Sequence, residues 1–81
     1  MIVNLLLFAA AKEIAGSRQL EIPLKQPYTV KQLKVALALQ HPELAALAAR
    51  SAFSVNHTYA SDETVIDPAS EVAMIPPVSG G

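Results

Sequence analysis

The chain has 81 residues, six basic against seven acidic side chains, a net charge of −1, 52% hydrophobic residues, no cysteine and three glycines. So short a chain holds one domain, and without cysteine it can carry no disulfide scaffold, thiolate-held zinc, iron–sulfur cluster or catalytic thiol. Balanced charge without a basic run argues against nucleic acid, whose phosphates require clustered Lys and Arg, and favours a protein or small-molecule partner.

The first predicted element is the apolar run Ile2 to Phe8, broken only by Asn4. No basic residue precedes it and it falls far short of the ~20 residues that span a bilayer, so it reads as a buried strand. No membrane association and a cytoplasmic location are the expectation. Ala9 to Ile14 can form a short helical turn stopped by Gly16, a left-handed cap. Leu20, Ile22 and Leu24 then alternate with Gln19, Glu21 and Pro23 in the period of a half-buried strand, a hairpin partner for the first.

Thr29 followed by Gln32 predicts a capping box at a helix start, with Tyr28 and Leu33 at the hydrophobic-staple positions. Val30, Leu33 and Leu37 form one apolar stripe while Lys31 and Lys34 face solvent, so this helix should lie across a sheet. His41-Pro42 ends it. Glu43 to Arg50 reads as a second short helix, Phe53 to Val55 as a strand, Asn56-His57 as a turn and Thr58-Tyr59 as its return. Thr64 to Ile66 fits strand or loop; Glu71 to Ile75 is a last strand halted by Pro76-Pro77. The order implies an α+β roll, a mixed sheet with one main helix packed across it and its first and last strands paired in the middle. The domain is residues 1–75, followed by an extended tail, 76–81.

The polar side chains suggest little chemistry. Ser54 and His57, with Asp62 and Asp67 nearby, lack a nucleophile elbow and read as turn and surface residues. His41 and His57 have no ligand spacing, and Asp62, Glu63 and Asp67 lack the glycine and bidentate glutamate of a calcium loop, so no metal is expected. Strand parity is more informative. Asn4 shares a face with Ile2, Leu6 and Phe8, and Glu71 with Ala73 and Ile75. If those faces point away from the helix, Phe8 and Ile75 form an exposed apolar patch suited to partner docking.

The tail Pro76-Pro77-Val78-Ser79-Gly80-Gly81 leaves the last strand with stiff, donor-free prolines and ends without side chains. Six residues reach up to roughly 20 Å. A C-terminal glycine offers an unhindered carboxylate on a stem narrow enough for a channel that admits no Cβ. Ionised at neutral pH, it can attack the α-phosphate of ATP but must become an acyl-adenylate before a nucleophile can attack it.

Leu6-Leu-Phe-Ala9, Lys12-Glu-Ile-Ala-Gly16, Phe53-Ser-Val-Asn56 and above all Glu71-Val-Ala-Met-Ile-Pro-Pro-Val-Ser-Gly-Gly81 resemble the small, MoaD-type subunits of molybdopterin synthase, ubiquitin-like sulfur carriers. The match spans the chain and is weakest from Arg50 to Asp67. It implies a β-grasp fold and no bound cofactor. A ubiquitin-activating-like enzyme would use ATP to adenylate Gly81, and a sulfurtransferase or cysteine desulfurase would convert it to a thiocarboxylate. The tail, Pro76 to Gly80, would insert into the large catalytic subunit, and Gly81 would give its sulfur to cyclic pyranopterin monophosphate. The family assembles as a heterotetramer. Phe8 and Ile75 become candidate docking residues. Alternatives are a carrier for thiazole or cysteine synthesis, a ubiquitin-like protein modifier, or an interaction module with an inert tail.

Overall fold

The computed structural model describes residues 1–77; Val78, Ser79, Gly80 and Gly81 lie outside the described residues. The elements are β1 (Ile2–Leu7), α1 (Ala9–Ala15), β2 (Gln19–Pro23), α2 (Val30–Gln40), a 3-10 turn (Pro42–Leu44), α3 (Ala45–Arg50), β3 (Ala52–Val55), β4 (Thr58–Tyr59) and β5 (Val72–Ile75). The strands form one sheet in the order β2-β1-β5-β3-β4. β1 and β5 run parallel at its centre, with Leu5, Leu6 and Leu7 opposite Val72, Ala73 and Met74, and the other pairings are antiparallel. This is the mixed-sheet, helix-crossed β-grasp architecture the sequence implies.

The strand period sorts the side chains. Val3, Leu5, Leu7, Ile22, Val72 and Met74 are buried on one face. Val30, Leu33 and Leu37, the predicted stripe, are fully buried in the same core, which Leu44, Leu47, Phe53 and Ile66 complete. The Thr29 hydroxyl accepts from the Gln32 amide at 3.3 Å, which is half of the predicted capping box. The Thr29 amide donates instead to the Pro27 carbonyl, so Gln32 has no donor to reach back to. The segment that fitted strand or loop forms a single bridge, Thr29 to Val65.

Several boundaries differ from the expectation for local reasons. Phe8 leaves β1 to cap α1, and Ala9 begins that helix at φ 50°. Glu71 lies outside β5, and the predicted helix 43–50 opens as a 3-10 turn because Pro42 occupies its first position. Lys34 does not face free solvent. Its ammonium lies 2.7 Å from Asp62 Oδ1 and 5.5 Å from the centre of the Phe53 ring, so it ties the loop after β4 to α2 through a charge pair and a cation–π contact.

The free edge of β2 is closed by its own neighbourhood. Leu24 and Met1 exchange backbone hydrogen bonds, so with antiparallel alternation Gln19, Glu21 and Pro23 point their backbone groups outward. The Ser17 hydroxyl donates to the Gln19 carbonyl and accepts from its amide. The Gln40 carboxamide donates to the Pro23 carbonyl, and Pro23 has no amide to offer. Only Glu21, carrying a charge, presents an uncapped donor and acceptor together.

Two outcomes follow. Gly16 sits at φ 71°, where a Cβ would meet nothing within 4 Å; Gly16→Ala should therefore cost about 1–2 kcal/mol through backbone conformation alone, read as a lowered midpoint in urea, and an unchanged midpoint would contradict it. The Lys34 hydrogen bond, then its charge, lowers the Asp62 pKa below its ordinary 3.8. A depressed folded-state pKa stabilises above the unfolded value and is lost as pH falls through the folded one. Asp62→Asn should lower stability at neutral pH, with the difference from the native chain vanishing well below pH 3.8 in a pH series of urea melts.

Candidate functional site

β5 delivers the tail. Flanked by β1 and β3, it passes Ile75 to Pro76, which is buried, and Pro77, which is exposed. The proline pair ends the ladder because neither ring nitrogen can donate. The remaining tail residues, including Gly81, lie outside the described residues, so the terminal chemistry expected of them rests on sequence.

The sheet face opposite the helices carries a shallow hollow lined by Leu6, Phe8, Ser54, His57, Tyr59, Glu71, Ala73 and Ile75. Its floor follows from register. Leu6 lies beside Ala73, Ala73 beside Ser54, and Ser54 beside Tyr59, one row across four strands. The two central members are small, so the row dips between Leu6 and Tyr59. Phe8, 49% exposed, and Ile75 form the wall where the tail leaves. Both residues thus lie on the face away from the helices, as strand parity predicts. Ile75 is only half-buried, not exposed, because its strand has a neighbour on either side and Ala52 stands opposite it.

The polar rim gathers at the β3–β4 turn. Asn56 and His57 have φ of 52° and 67°, as a two-residue turn between right-twisted strands requires. His57 Nε2 lies 2.6 Å from Glu71 Oε2, both groups exposed. The sequence weighs Ser54 and His57 together only as nucleophile and base and reads both as turn and surface residues; Ser54 is instead buried, on the outer parity between two inward-facing residues. Tyr59 also escaped notice, since a two-residue strand has too little pattern to assign a face.

The serine and histidine do share the hollow, yet no acid–base chain links them. His57 is engaged with Glu71, and Asp62 with Lys34. His41 stands 3.4 Å from Glu43, and among the described residues no group of three or more His, Asp or Glu could hold a metal ion. No helix among them is long and apolar enough to cross a membrane. Among the described residues the arrangement offers an apolar surface beside the strand that leads into the tail and no catalytic cluster.

Comparison with known proteins places the chain in a family. The ThiS family model matches residues 5–81. The human molybdopterin synthase sulfur carrier subunit is 37% identical, covering 98% of this chain and 93% of its own length. The Arabidopsis thaliana protein of the same name is 30% identical over 98% of this chain and 82% of its own. In structure, SAMP1 from Haloferax volcanii superposes with a TM-score of 0.86 at 28% identity, covering both chains fully. A Helicobacter pylori complex of subunits 1 and 2 of molybdopterin-converting factor contains a chain of the same fold, with a TM-score of 0.71, 21% identity and full coverage of both.

Proposed function

We propose, for a chain that belongs to the ThiS family, that it is the sulfur carrier subunit of a molybdopterin synthase. The observation that carries this reading is end-to-end similarity to carriers of that name, including the human one at 37% identity. The apolar hollow beside the tail exit supports it, because a donor that reaches into another protein needs a docking face next to the reaching segment.

Gly81 is the reactive residue. Its carboxylate oxygen attacks the α-phosphorus of ATP on a ubiquitin-activating-like enzyme, pyrophosphate leaves, and a mixed anhydride forms. The persulfide sulfur of a sulfurtransferase or cysteine desulfurase then forms a C–S bond as AMP departs, and a thiol breaks the S–S bond of the resulting acyl disulfide, leaving a disulfide on the donor enzyme. The thiocarboxylate so produced enters the large catalytic subunit on the stem Pro76, Pro77, Val78, Ser79 and Gly80, and its sulfur passes to cyclic pyranopterin monophosphate. Groups that bind the pterin belong to the large subunit. The carrier binds no cofactor of its own and works inside a heterotetramer in the cytoplasm. The Helicobacter pylori complex of the two subunits supports that partner.

The likeness to a small archaeal modifier protein of Haloferax volcanii, at 26% identity and a TM-score of 0.83, favours a second reading, conjugation through Gly81 to lysines of other proteins. A carrier for thiazole or cysteine synthesis would share the thiocarboxylate and differ in its acceptor.

Intact mass after incubation with ATP and the activating and sulfur-donating enzymes separates these. The carrier reading requires one oxygen to be replaced by one sulfur at Gly81, and a chain extended by one residue, and not trimmed, to stay unmodified. Stable adducts on other proteins would favour the modifier, and sulfur loading without molybdopterin formation would favour another pathway. For docking, Phe8→Ala and Ile75→Ala should each weaken large-subunit affinity by about tenfold or less than a hundredfold, the range of a truncated interface anchor. Unchanged affinity in both, by calorimetry, would remove these residues from the interface.

A further inference from the structure

The tail's reach depends on where β5 stops, and so on where β5 is held along its own axis. Face burial settles only part of this. A slip of one residue would turn Val72 and Met74 outward, but a slip of two preserves parity while moving the tail by about 7 Å. That is about a third of the roughly 20 Å six extended residues can span. Something must resist the even slip.

At the tail end, Pro76 does so. Drawn inward by two, it would enter the Met74 position of a central strand with no amide for the ladder. At the opposite end, the strand begins against Asn56. β3 and β5 pair through Val55 and Val72, which places Asn56 across from Glu71. The Asn56 amide donates to the Glu71 carbonyl at 2.7 Å. The return bond is made by the side chain: Asn56 Oδ1 accepts from the Glu71 amide at 2.9 Å. At φ 52° the Asn56 main chain has already turned away, and its carboxamide stands in for the backbone carbonyl. On the far side, the turn before β5 closes with the Ser70 amide donating to the Asp67 carbonyl and the Asp67 amide donating to the Ser70 hydroxyl oxygen. Glu71 is therefore held between a closed turn and an asparagine ring.

We propose that Asn56 is a positioning residue that fixes the start of β5 and thereby the reach of the tail bearing Gly81. Its functional consequence rests on the carrier reading above; its structural content does not. The residue suits both tasks, since asparagine tolerates a left-handed backbone and carries an acceptor short enough to span to the neighbouring strand.

The test uses the full chain with three substitutions. Asn56→Gly keeps the turn conformation and removes the acceptor, Asn56→Asp keeps an acceptor oxygen, and Asn56→Ala removes the acceptor and disfavours the turn. In Asn56→Gly, amide exchange at Glu71 and Val72 should accelerate by roughly tenfold or less, the scale of one hydrogen bond, with weakened cross-strand contacts between Ala73 and Ser54 by NMR. Asn56→Asp should restore both. Native-like exchange and contacts in Asn56→Gly, or failure of Asn56→Asp to restore them, would overturn the assignment. With the large subunit and loaded carrier, Asn56→Gly should lower the sulfur-transfer rate several-fold while its affinity for the large subunit holds. Equal transfer rates despite accelerated exchange would overturn the link to reach. A native chain that never accepts sulfur would instead end the carrier reading, and the exchange data would still decide the positioning role.

Discussion

The parallel pairing of β1 with β5 is the constraint around which the rest is arranged. Leu5, Leu6 and Leu7 meet Val72, Ala73 and Met74, so the first and last strands are joined at the middle of the sheet. Parallel neighbours cannot be linked by a tight turn and need a crossover. Here nearly the entire chain is that crossover. α2 lies across the inner face, β2 closes one flank, and β3 and β4 close the other. Because the central pair can form only when the chain's two ends meet, long-range closure must precede its reward, as in other folds of high contact order.

The two faces of the sheet then have separate duties. The inner residues of β5, Val72 and Met74, are fully buried and secure the strand in the core. On the outer face Ala73 and Ser54 are buried while remaining small, and larger residues stand around them. A surface can therefore be shaped for recognition without costing core packing, since the alternation of a strand assigns each substitution to one face only. The strand that leads into the tail is paired on both sides, so a load on the tail is borne by the central ladder.

Much of this was legible beforehand because it is written in local periodicity. The Val30–Leu33–Leu37 stripe, the Thr29 cap, the Gly16 stop and the alternation through Leu20 and Ile22 each depend on neighbours within a turn or a strand. Parity alone put Phe8 and Ile75 on the outer face. What escaped joins residues distant in sequence. The Lys34 bridge to Asp62 links positions 28 apart, and the Asn56 bond to Glu71 links positions 15 apart. Neither residue type announces such a partner, for Lys34 reads as a solvated helix charge and Asn56 as a turn former. The hollow itself was hidden because its floor is made of two small residues, Ser54 and Ala73, that only the register of β3 on β5 sets side by side.

The closed edge of β2 bears on how such a protein behaves in a crowded cell. An open strand edge is a template on which identical chains can add without limit. With Ser17 occupying Gln19, Gln40 occupying the Pro23 carbonyl and a carboxylate at Glu21, that polymerisation route is shut. β4, at the other edge, is only two residues long. A chain with 52% hydrophobic residues thus offers further copies of itself little ladder to extend at either margin of the described sheet.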